Sequence, residues 1–195
     1  ISVEASGEVA ALKDNINEMI RNLKDTTLKN NEQDWLKTNL TRFTRMLQGQ
    51  RDLETVSNLI LSEMAPLMNA HHIVFYVIRE EEEKPTLDLV ASYAFDAENV
   101  RPRVQMREGL IGQCASEAKK IYLKNVPQDY VRINSGIGAA APLNIMVLPV
   151  LFEGKITAVM EIASFNEFSE THQSFVDQLT ESIGIVLNTI TATMR

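Results

Sequence analysis

The sequence predicts an α+β domain, with helices packed on a largely antiparallel sheet, preceded by a long N-terminal helical segment. Two observations carry this prediction. All six prolines lie between residues 66 and 149, and because proline interrupts helices and marks turns, the turn-rich part of the chain is its middle. Apolar residues recur every three or four positions on both sides of that region and alternate within it. This pattern predicts helix, sheet and helix in chain order.

The first predicted helix begins at Ser6 or Gly7 and carries an apolar residue at every third or fourth position. The spacings of 3, 4, 3 and 4 form a heptad seam of Val9, Leu12, Ile16, Met19 and Leu23. Such a seam is typical of helices that pair with another chain or pack within a bundle, and both interpretations stay open here. Polar residues follow over 26–34, so the seam fades there.

A second apolar stripe follows and consists of Leu36, Leu40, Phe43 and Leu47. It begins 13 residues after Leu23, one short of two heptads, so it is out of phase with the seam. A phase difference of this kind changes supercoiling locally, and we place a switching register between the two stripes. Gly49 marks a joint, after which residues 53–67 form a separate amphipathic helix.

The middle of the chain has strand periodicity and turn signals. The predicted strands are residues 72–79, 86–95, 104–108, 121–126 and the two arms of a hairpin over 144–165. The acidic run 80–85 connects the first two strands, and Glu153-Gly154 turns the last hairpin. A short helix begins at Gly109, and residues 127–142 are predicted as a loop with one helical turn. Because hairpins dominate, the sheet is expected to be mainly antiparallel.

The last predicted helix begins at Ser169, which can cap it, and carries one apolar face. The residues of this face are Phe175, Leu179, Ile183, Leu187, Ile190 and Met194. Part of the face is expected to complete the core, and the last turns are expected to continue into a coiled coil. We therefore predict a parallel homodimer in which the N- and C-terminal helices meet at the two-fold axis.

Composition excludes several classes of function. The net charge is −7, which disfavours nucleic acid as a partner because the phosphate backbone is also negative. No apolar run reaches the roughly 18 residues of a membrane helix, so no direct membrane contact is expected. The single cysteine, Cys114, excludes an internal disulfide and a multi-cysteine metal site. We therefore expect a reducing, cytoplasmic location. His71-His72 is not expected to bind a metal, because neighbouring residues in a strand point to opposite faces.

Two stretches resemble a known family. Residues 107–130, which include Gly-Leu-Ile-Gly, and residues 148–189, which include Phe-Ser-Glu before the last helix, are similar to a GAF domain. GAF domains are small-molecule and protein-interaction modules of signalling proteins. The resemblance places such a domain, with a C-terminal signalling helix, at residues 51–195.

The N-terminal region resembles a second family. Residues 7–25 are similar to the second helix of a HAMP domain, with Glu8, Leu12, Asn17 and Met19 at matching positions. This similarity assigns residues 1–30 to a partial HAMP domain and residues 31–50 to a helical linker. HAMP followed by GAF resembles the sensory region of bacterial poly-HAMP hybrid sensor histidine kinases. It implies an upstream HAMP relay and a downstream kinase core in a longer protein, and leaves open whether that parent is membrane-anchored.

The GAF resemblance implies a cavity between the sheet and residues 109–142. Its candidate lining residues are Tyr76, Tyr93, Ile111, Cys114 and Tyr130. These side chains either bind a small molecule or fill the core, and the sequence leaves both open. Cys114 is interpreted as a small buried thiol, with a redox sensor activated by the helix N-terminus as the alternative. No cofactor is evident.

The sequence also favours a non-catalytic function. None of the three histidines is followed by an acidic residue, as a phospho-acceptor histidine would be, and no ATP-binding sequence is present. Two hypotheses remain: a segment that relays a conformational signal toward a kinase core, and a small-molecule receptor whose helices only dimerise. A free-methionine sulfoxide reductase is a weaker third, because those relatives use several cysteines.

Overall fold

A computed structural model describes residues 6–80, 84–94, 100–127, 133–135 and 138–193. The helices are α1 (Glu8–Leu47), α2 (Leu53–Leu67), α3 (Gly109–Glu117) and α4 (Glu170–Thr193). The strands are β1 (His72–Arg79), β2 (Thr86–Tyr93), β3 (Arg103–Gln105), β4 (Ile121–Lys124), β5 (Ile133–Ser135), β6 (Gly138–Ala140), β7 (Asn144–Phe152) and β8 (Lys155–Ser164). The predicted α+β class is confirmed, and so is the order of elements outside residues 127–142.

The sheet has six strands in the order β3-β2-β1-β8-β7-β4, and every neighbouring pair is antiparallel. Helix α2 packs on β1 and β2, and α4 packs on β7 and β8. Helix α3 contacts β7, β8 and the edge strand β3. Alternate residues of the strands therefore face two separate layers. We call the side that meets α3 the inner face.

One part of the prediction is wrong. Residues 127–142 were expected to form a loop with one helical turn, and residues 133–135 and 138–140 form instead a two-stranded sheet of β5 and β6. Ile133 pairs with Ala140, and Ser135 pairs with Gly138. Residues 128–132 and 136–137, where a helical turn could lie, are outside the described residues. Strands as short as these lack the alternating apolar pattern that reveals longer strands, so no periodic signal predicted them.

Helix α1 is a single helix of 40 residues, preceded by Gly7 in the left-handed region at φ +64°. It runs without a break across the predicted boundary between residues 30 and 31. The chain divides into two compact units between Asn39 and Leu40, and the assignment of residues 1–30 to a partial HAMP domain stays a prediction. In the first unit, four of the seam side chains are 58–62% exposed: Val9, Leu12, Met19 and Leu23.

The end of α1 has the opposite environment. Phe43 and Leu47 are 0% and 3% exposed, and Phe43 meets Phe175 of α4 edge-on with 5.4 Å between ring centroids. Both were assigned to helices that dimerise or relay a signal, and the dimer-surface part of this assignment is corrected, because both side chains belong to the core of their own domain.

Helix α4 requires a similar correction. Leu187 and Ile190 were assigned to a dimer or relay surface, and both are buried within the single chain. Met194 lies outside the described residues. The predicted cap is confirmed, since the hydroxyl of Ser169 accepts a hydrogen bond from the backbone N–H of His172 at 3.1 Å. Gly184 lets α4 lie against β7, because a Cβ there would be 2.1 Å from the carbonyl oxygen of Leu151.

The β7–β8 hairpin turns at Glu153 and Gly154, both in the left-handed region at φ 48° and 79°. Two-residue hairpin turns of the favoured kind need positive φ at both positions, so the predicted turn is confirmed. Strand β4 pairs only with the first part of β7, from Asn144 to Val147. Pro149 therefore lies just beyond the end of β4.

Candidate functional site

Three of the five predicted pocket residues come together on the inner face. Tyr76 and Cys114 are buried in one cluster, and Ile111 packs against it. We call this set the inner cluster; its other buried members on strands β1, β7 and β8 are Val74, Ile145, Val147, Val159 and Ala163. Tyr130 lies outside the described residues.

Tyr93 does not join the inner cluster. A register shift in the β1–β2 pairing between Phe75 and Tyr76 brings Ala91 opposite Phe75 and Leu89 opposite Tyr76. Such a bulge reverses the alternation of the rest of the strand, so Tyr93 pairs with Ile73 and faces the other side of the sheet. Its side chain is 37% exposed. The prediction that Tyr93 shares a surface with Tyr76 is therefore corrected.

Helix α3 presents Ile111 and Cys114 to the sheet because it lies close to the backbone of β3. A Cβ at Gly112 would be 2.2 Å from the carbonyl oxygen of Gln105, so only glycine fits there. The carbonyl of Gly112 in turn accepts a hydrogen bond from the N–H of Arg107 at 2.9 Å. The Gly-Leu-Ile-Gly sequence thus positions α3 against the sheet.

Tyr76 is a neutral hydrogen-bond donor. Its hydroxyl donates to the carbonyl oxygen of Arg101 at 2.7 Å. The pKa of Tyr76 is raised to about 12, first by burial and then by the negative charge of Glu161, while the positive charge of Arg101 acts in the opposite direction. The phenol therefore stays protonated over the physiological range and supplies a fixed polar group at the edge of an apolar surface.

Cys114 is an inert thiol. It is 0% exposed, and burial, followed by the charges of Glu117 and Glu161, raises its pKa to about 12. A reactive cysteine needs an accessible thiolate, which these conditions disfavour. The alternative that the N-terminus of α3 activates Cys114 as a redox sensor is therefore wrong.

Glu161 is the residue that the sequence analysis missed. It lies on β8 opposite Val74 of β1 and Val147 of β7. Residues paired directly across strands share one face, so its side chain points to the inner face with the cluster. Burial raises the pKa of this carboxyl from 4.5 to about 7. Among the described residues it has no hydrogen-bond or ion-pair partner.

Glu161 lies between two apolar neighbours on the inner face. Val74 and Val147 beside it are buried, whereas Glu161 keeps part of its accessible surface. The ionised carboxylate is costly there, because apolar neighbours replace water and no cation compensates the charge. The signal was present in the sequence: Glu161 is the only charged residue within the interior of an otherwise apolar strand.

The two histidines of the His71-His72 pair have different hydrogen-bond partners. Nδ1 of His71 accepts a hydrogen bond from the N–H of Phe165 at 3.4 Å, whereas Nδ1 of His72 lies 3.0 Å from the carbonyl oxygen of Ala94. Within the described ranges, no three histidine, cysteine or acidic residues are grouped as metal ligands. The two rings therefore have separate structural partners at opposite sides of the strand.

A six-stranded antiparallel sheet with helices on both faces and a polar group beneath a short helix is the arrangement of α+β sensory domains in signalling proteins. The sequence profile of the GAF domain matches residues 50–188. This match covers most of the chain, and the chain belongs to the GAF-domain family. GAF domains are regulatory modules with sensory and ligand-binding roles. The comparison with curated proteins gives no match.

Solved structures share the fold at low identity. The GAF domain of a Coxiella burnetii phosphoenolpyruvate-protein phosphotransferase has a TM-score of 0.67 and 17% identity, over 81% of this chain and 95% of that one. The GAF domain of the Acinetobacter phosphotransferase has a TM-score of 0.64 and 19% identity, over 78% and 92%. The free methionine-R-sulfoxide reductase of Neisseria meningitidis has a TM-score of 0.64 and 14% identity, over 79% and 89%. At these identities the likeness establishes the fold alone.

A membrane-spanning helix is not found: in the described part of the chain, none of the helices combines the length and the hydropathy that a bilayer requires.

Proposed function

We propose that the chain is a non-catalytic sensory and relay segment of a two-component signalling histidine kinase. A conformational signal from an upstream HAMP domain enters through α1, is modulated by the GAF domain and leaves through α4 toward a kinase core. The observation that carries this proposal is the contact between Phe43 at the end of α1 and Phe175 of α4. The parent kinase acts in the cytoplasm, and the segment works as a parallel homodimer.

The Phe43–Phe175 contact gives α1 a direct mechanical link to α4. Both rings are fully buried, and protein interiors are packed too densely for one ring to move without its neighbour. Arg42 also forms an ion pair with Glu63, which connects α1 to α2. A rotation or shift of the last turns of α1 must therefore displace α4 or break the core. This is the coupling that a relay between two discrete packing states needs.

The HAMP and kinase parts of the proposal rest on sequence resemblance. Glu8, Leu12, Asn17 and Met19 match the pattern of the second HAMP helix. The continuity of α1 supports a relay because a helix without a joint transmits rotation along its length, whereas a flexible linker would lose it.

The relay is tested by insertions after Asn31 in the full-length kinase. One added alanine rotates the seam by about 100° relative to the domain, whereas a seven-residue insertion rotates it by only about 20°. We expect the single insertion to lock autophosphorylation in one state and the seven-residue control to keep regulation. Regulated activity in both variants would contradict the relay, and a parent without autophosphorylation would contradict the kinase assignment.

A second candidate function is favoured by Glu161. The carboxyl of Glu161 has no hydrogen-bond or ion-pair partner among the described residues, and any cation that reaches it would stabilise its charged form. If the GAF domain is a receptor, its ligand carries an amine or another cationic group that pairs with Glu161, and apolar atoms that contact the inner cluster. Tyr76 stays neutral and orients the ligand without competing for its charge.

Native mass spectrometry of the purified chain, beside a denatured control, tests the receptor. We expect a retained small molecule in the wild type, its loss in Glu161→Gln, and its retention in Glu18→Gln, which changes an exposed glutamate of α1. The receptor hypothesis would be contradicted by two results together: a wild-type mass without a retained molecule, and no rise in melting temperature with any of a panel of cationic metabolites. A bound ligand would raise the melting temperature by mass action.

A further inference from the structure

Glu161 occupies the centre of the inner face. Across the sheet it lies between Val74 of β1 and Val147 of β7, and along β8 the next residues on the same face are Val159 and Ala163. All four neighbours are 0–3% exposed, whereas Glu161 keeps part of its accessible surface. An ionised carboxyl in such surroundings needs a partner, and the described residues supply none.

The second strong polar group of this face is also an acceptor. Tyr76 donates its hydroxyl hydrogen to the carbonyl oxygen of Arg101 at 2.7 Å, so its oxygen is left to accept a further hydrogen bond. Val74 pairs with Glu161, and Tyr76 pairs with Val159. Tyr76 and Glu161 are therefore diagonal neighbours on adjacent strands. A ligand that contacts both must bring the hydrogens.

We propose that the inner face binds a small organic molecule through a primary ammonium group, which displaces the proton of Glu161 to solvent. This inference rests on the receptor, the second candidate function, and deepens it by naming the binding group and the ion that is exchanged for it. The apolar part of the molecule contacts the inner cluster.

The acceptors select a primary ammonium over other charged groups. It carries three N–H donors and one positive charge, so it pairs with the carboxylate of Glu161 and still donates to the oxygen of Tyr76. A quaternary ammonium has no N–H and is usually held by several aromatic faces. Tyr76 is the only aromatic residue in the described part of the inner cluster. An anion would meet the like charge of Glu161.

The other titratable groups on this face leave the exchange to Glu161. Tyr76 of β1 and Cys114 of α3 each have a pKa of about 12, raised first by burial, so both stay neutral. The charges that act on them, Arg101 and Glu117, belong to exposed side chains, and Arg101 already forms an ion pair. The described residues that β2, β3, β4 and β7 contribute to the inner cluster are apolar.

The direction of the pH dependence follows from the free carboxyl. Burial raises the pKa of Glu161 to about 7, so an acidic solution keeps the site protonated. An alkyl ammonium holds its own proton to about pH 10. Binding therefore pairs the ammonium with the carboxylate and releases the carboxyl proton to water. The affinity is expected to rise about a hundredfold from pH 5 to pH 8 and to level off there.

Carbon-13 NMR of the purified chain, labelled at the glutamate carboxyl carbons, tests the exchange. The signal of Glu161 is identified by its loss in Glu161→Gln. The probe is n-butylammonium chloride, whose Kd is measured at pH 8. At about ten times that Kd, we expect the titration midpoint of Glu161 to fall by about one pH unit. Tetramethylammonium chloride and n-butanol at the same concentration are expected to leave the midpoint in place.

Two variants separate the carboxyl from the charge of the region. Glu161→Gln is expected to weaken binding of n-butylammonium at pH 8 by about tenfold or more and to remove its pH dependence. Glu117→Gln removes an exposed carboxyl of α3 and is the matched control, which is expected to bind as the wild type does. An unchanged midpoint with n-butylammonium, an equal shift with tetramethylammonium, or equal binding by wild type and Glu161→Gln would overturn the proposal.

These outcomes are distinct from those of the receptor test. A neutral or anionic molecule retained in native mass spectrometry, beside an unchanged midpoint, would overturn the ammonium site and leave the receptor. A shifted midpoint, beside a wild-type mass without a retained molecule and no thermal stabilisation by cationic metabolites, would leave the site and overturn the receptor. The insertion assay of the relay depends on neither result.

Discussion

The two ends of α1 carry the same kind of pattern in opposite environments. Leucine, methionine and valine at the N-terminal seam are largely exposed, whereas Phe43 and Leu47 at the C-terminal end are buried. Both sets recur at helical spacing. The comparison shows that periodicity reports where a helix has an apolar face and does not report what covers it. Each of the following predictions pairs a change in the second compact unit, Leu40–Arg195, with a matched change in the first, Ile1–Asn39.

The largest difference in the free energy of unfolding is expected between the variants Phe43→Ala and Leu23→Ala. Phe43→Ala removes a ring from the core and is expected to lower the free energy of unfolding by about 3–5 kcal/mol. Leu23→Ala changes an exposed side chain and is expected to cost less than about 0.5 kcal/mol in monomeric chain. Urea unfolding followed by circular dichroism at low protein concentration measures both. Equal costs would show that the seam is packed in the monomer.

Glycine substitutions sharpen the comparison through backbone contacts. Gly184→Ala places a Cβ 2.1 Å from the carbonyl oxygen of Leu151. We expect the free energy of unfolding to fall by about 2–3 kcal/mol, because α4 must shift away from β7. Gly7→Ala meets no atom within 4 Å, so only its positive φ is strained, at about 1 kcal/mol or less. Melting temperatures compare the two. A milder effect of Gly184→Ala would mean that α4 tolerates displacement.

The stability of the protein is expected to depend on pH through a carboxyl on the inner face and not through an exposed carboxyl on α1. The pKa of Glu161 is raised in the folded state from 4.5 to about 7. The folded state therefore holds more protons between these values, and stability falls as pH rises from about 4.5 to 7. Glu161→Gln is expected to remove this decline and to be more stable than wild type at pH 8, by on the order of 2 kcal/mol.

Glu18→Gln on α1 is the control for this profile and is expected to keep the wild-type decline. Denaturant unfolding at a series of pH values provides the measurement. A Glu161→Gln profile that parallels wild type would mean that the carboxyl is solvated in the folded state.

The smallest expected difference concerns hydroxyl groups on helices. Ser169→Ala removes the hydroxyl that accepts the N–H of His172, and we expect a cost of about 1 kcal/mol. The hydroxyl of Thr27 bonds only to the carbonyl of Leu23 in its own helix, so Thr27→Ala is expected to be neutral or slightly stabilising. Thermal unfolding shows whether each variant is more or less stable than the wild type. Equal effects would argue that Ser169 does not fix the start of α4.

Local chemistry explains which parts of the fold were predictable. Glu153-Gly154, Ser169 and Gly49 act through backbone geometry and single hydrogen bonds, so the sequence predicts the turn, the cap and the joint correctly. The inner face was partly predictable: Tyr76, Ile111 and Cys114 meet there. Tyr93 was misplaced because a bulge reverses the alternation of β2, and a bulge leaves no mark on the apolar pattern.

Packing between distant elements explains what the sequence did not predict. Phe43, Leu47, Leu187 and Ile190 sit on apolar faces that suit a partner chain and an internal core equally well. Glu161 was overlooked because β8 was identified from its many apolar residues. The one charged residue in its interior was not interpreted. A lone ionisable residue at a buried strand position is the more informative observation.

Pro149 has a consequence for how the protein avoids unwanted association. Beyond Val147, strand β7 has no described neighbour on its β4 side, so its backbone there is an open edge at which strands of other molecules can add. Proline offers no N–H to such an incoming strand. A proline at this position makes the addition of a further strand less favourable, and it is compatible with the observed pairing of β7 with β8.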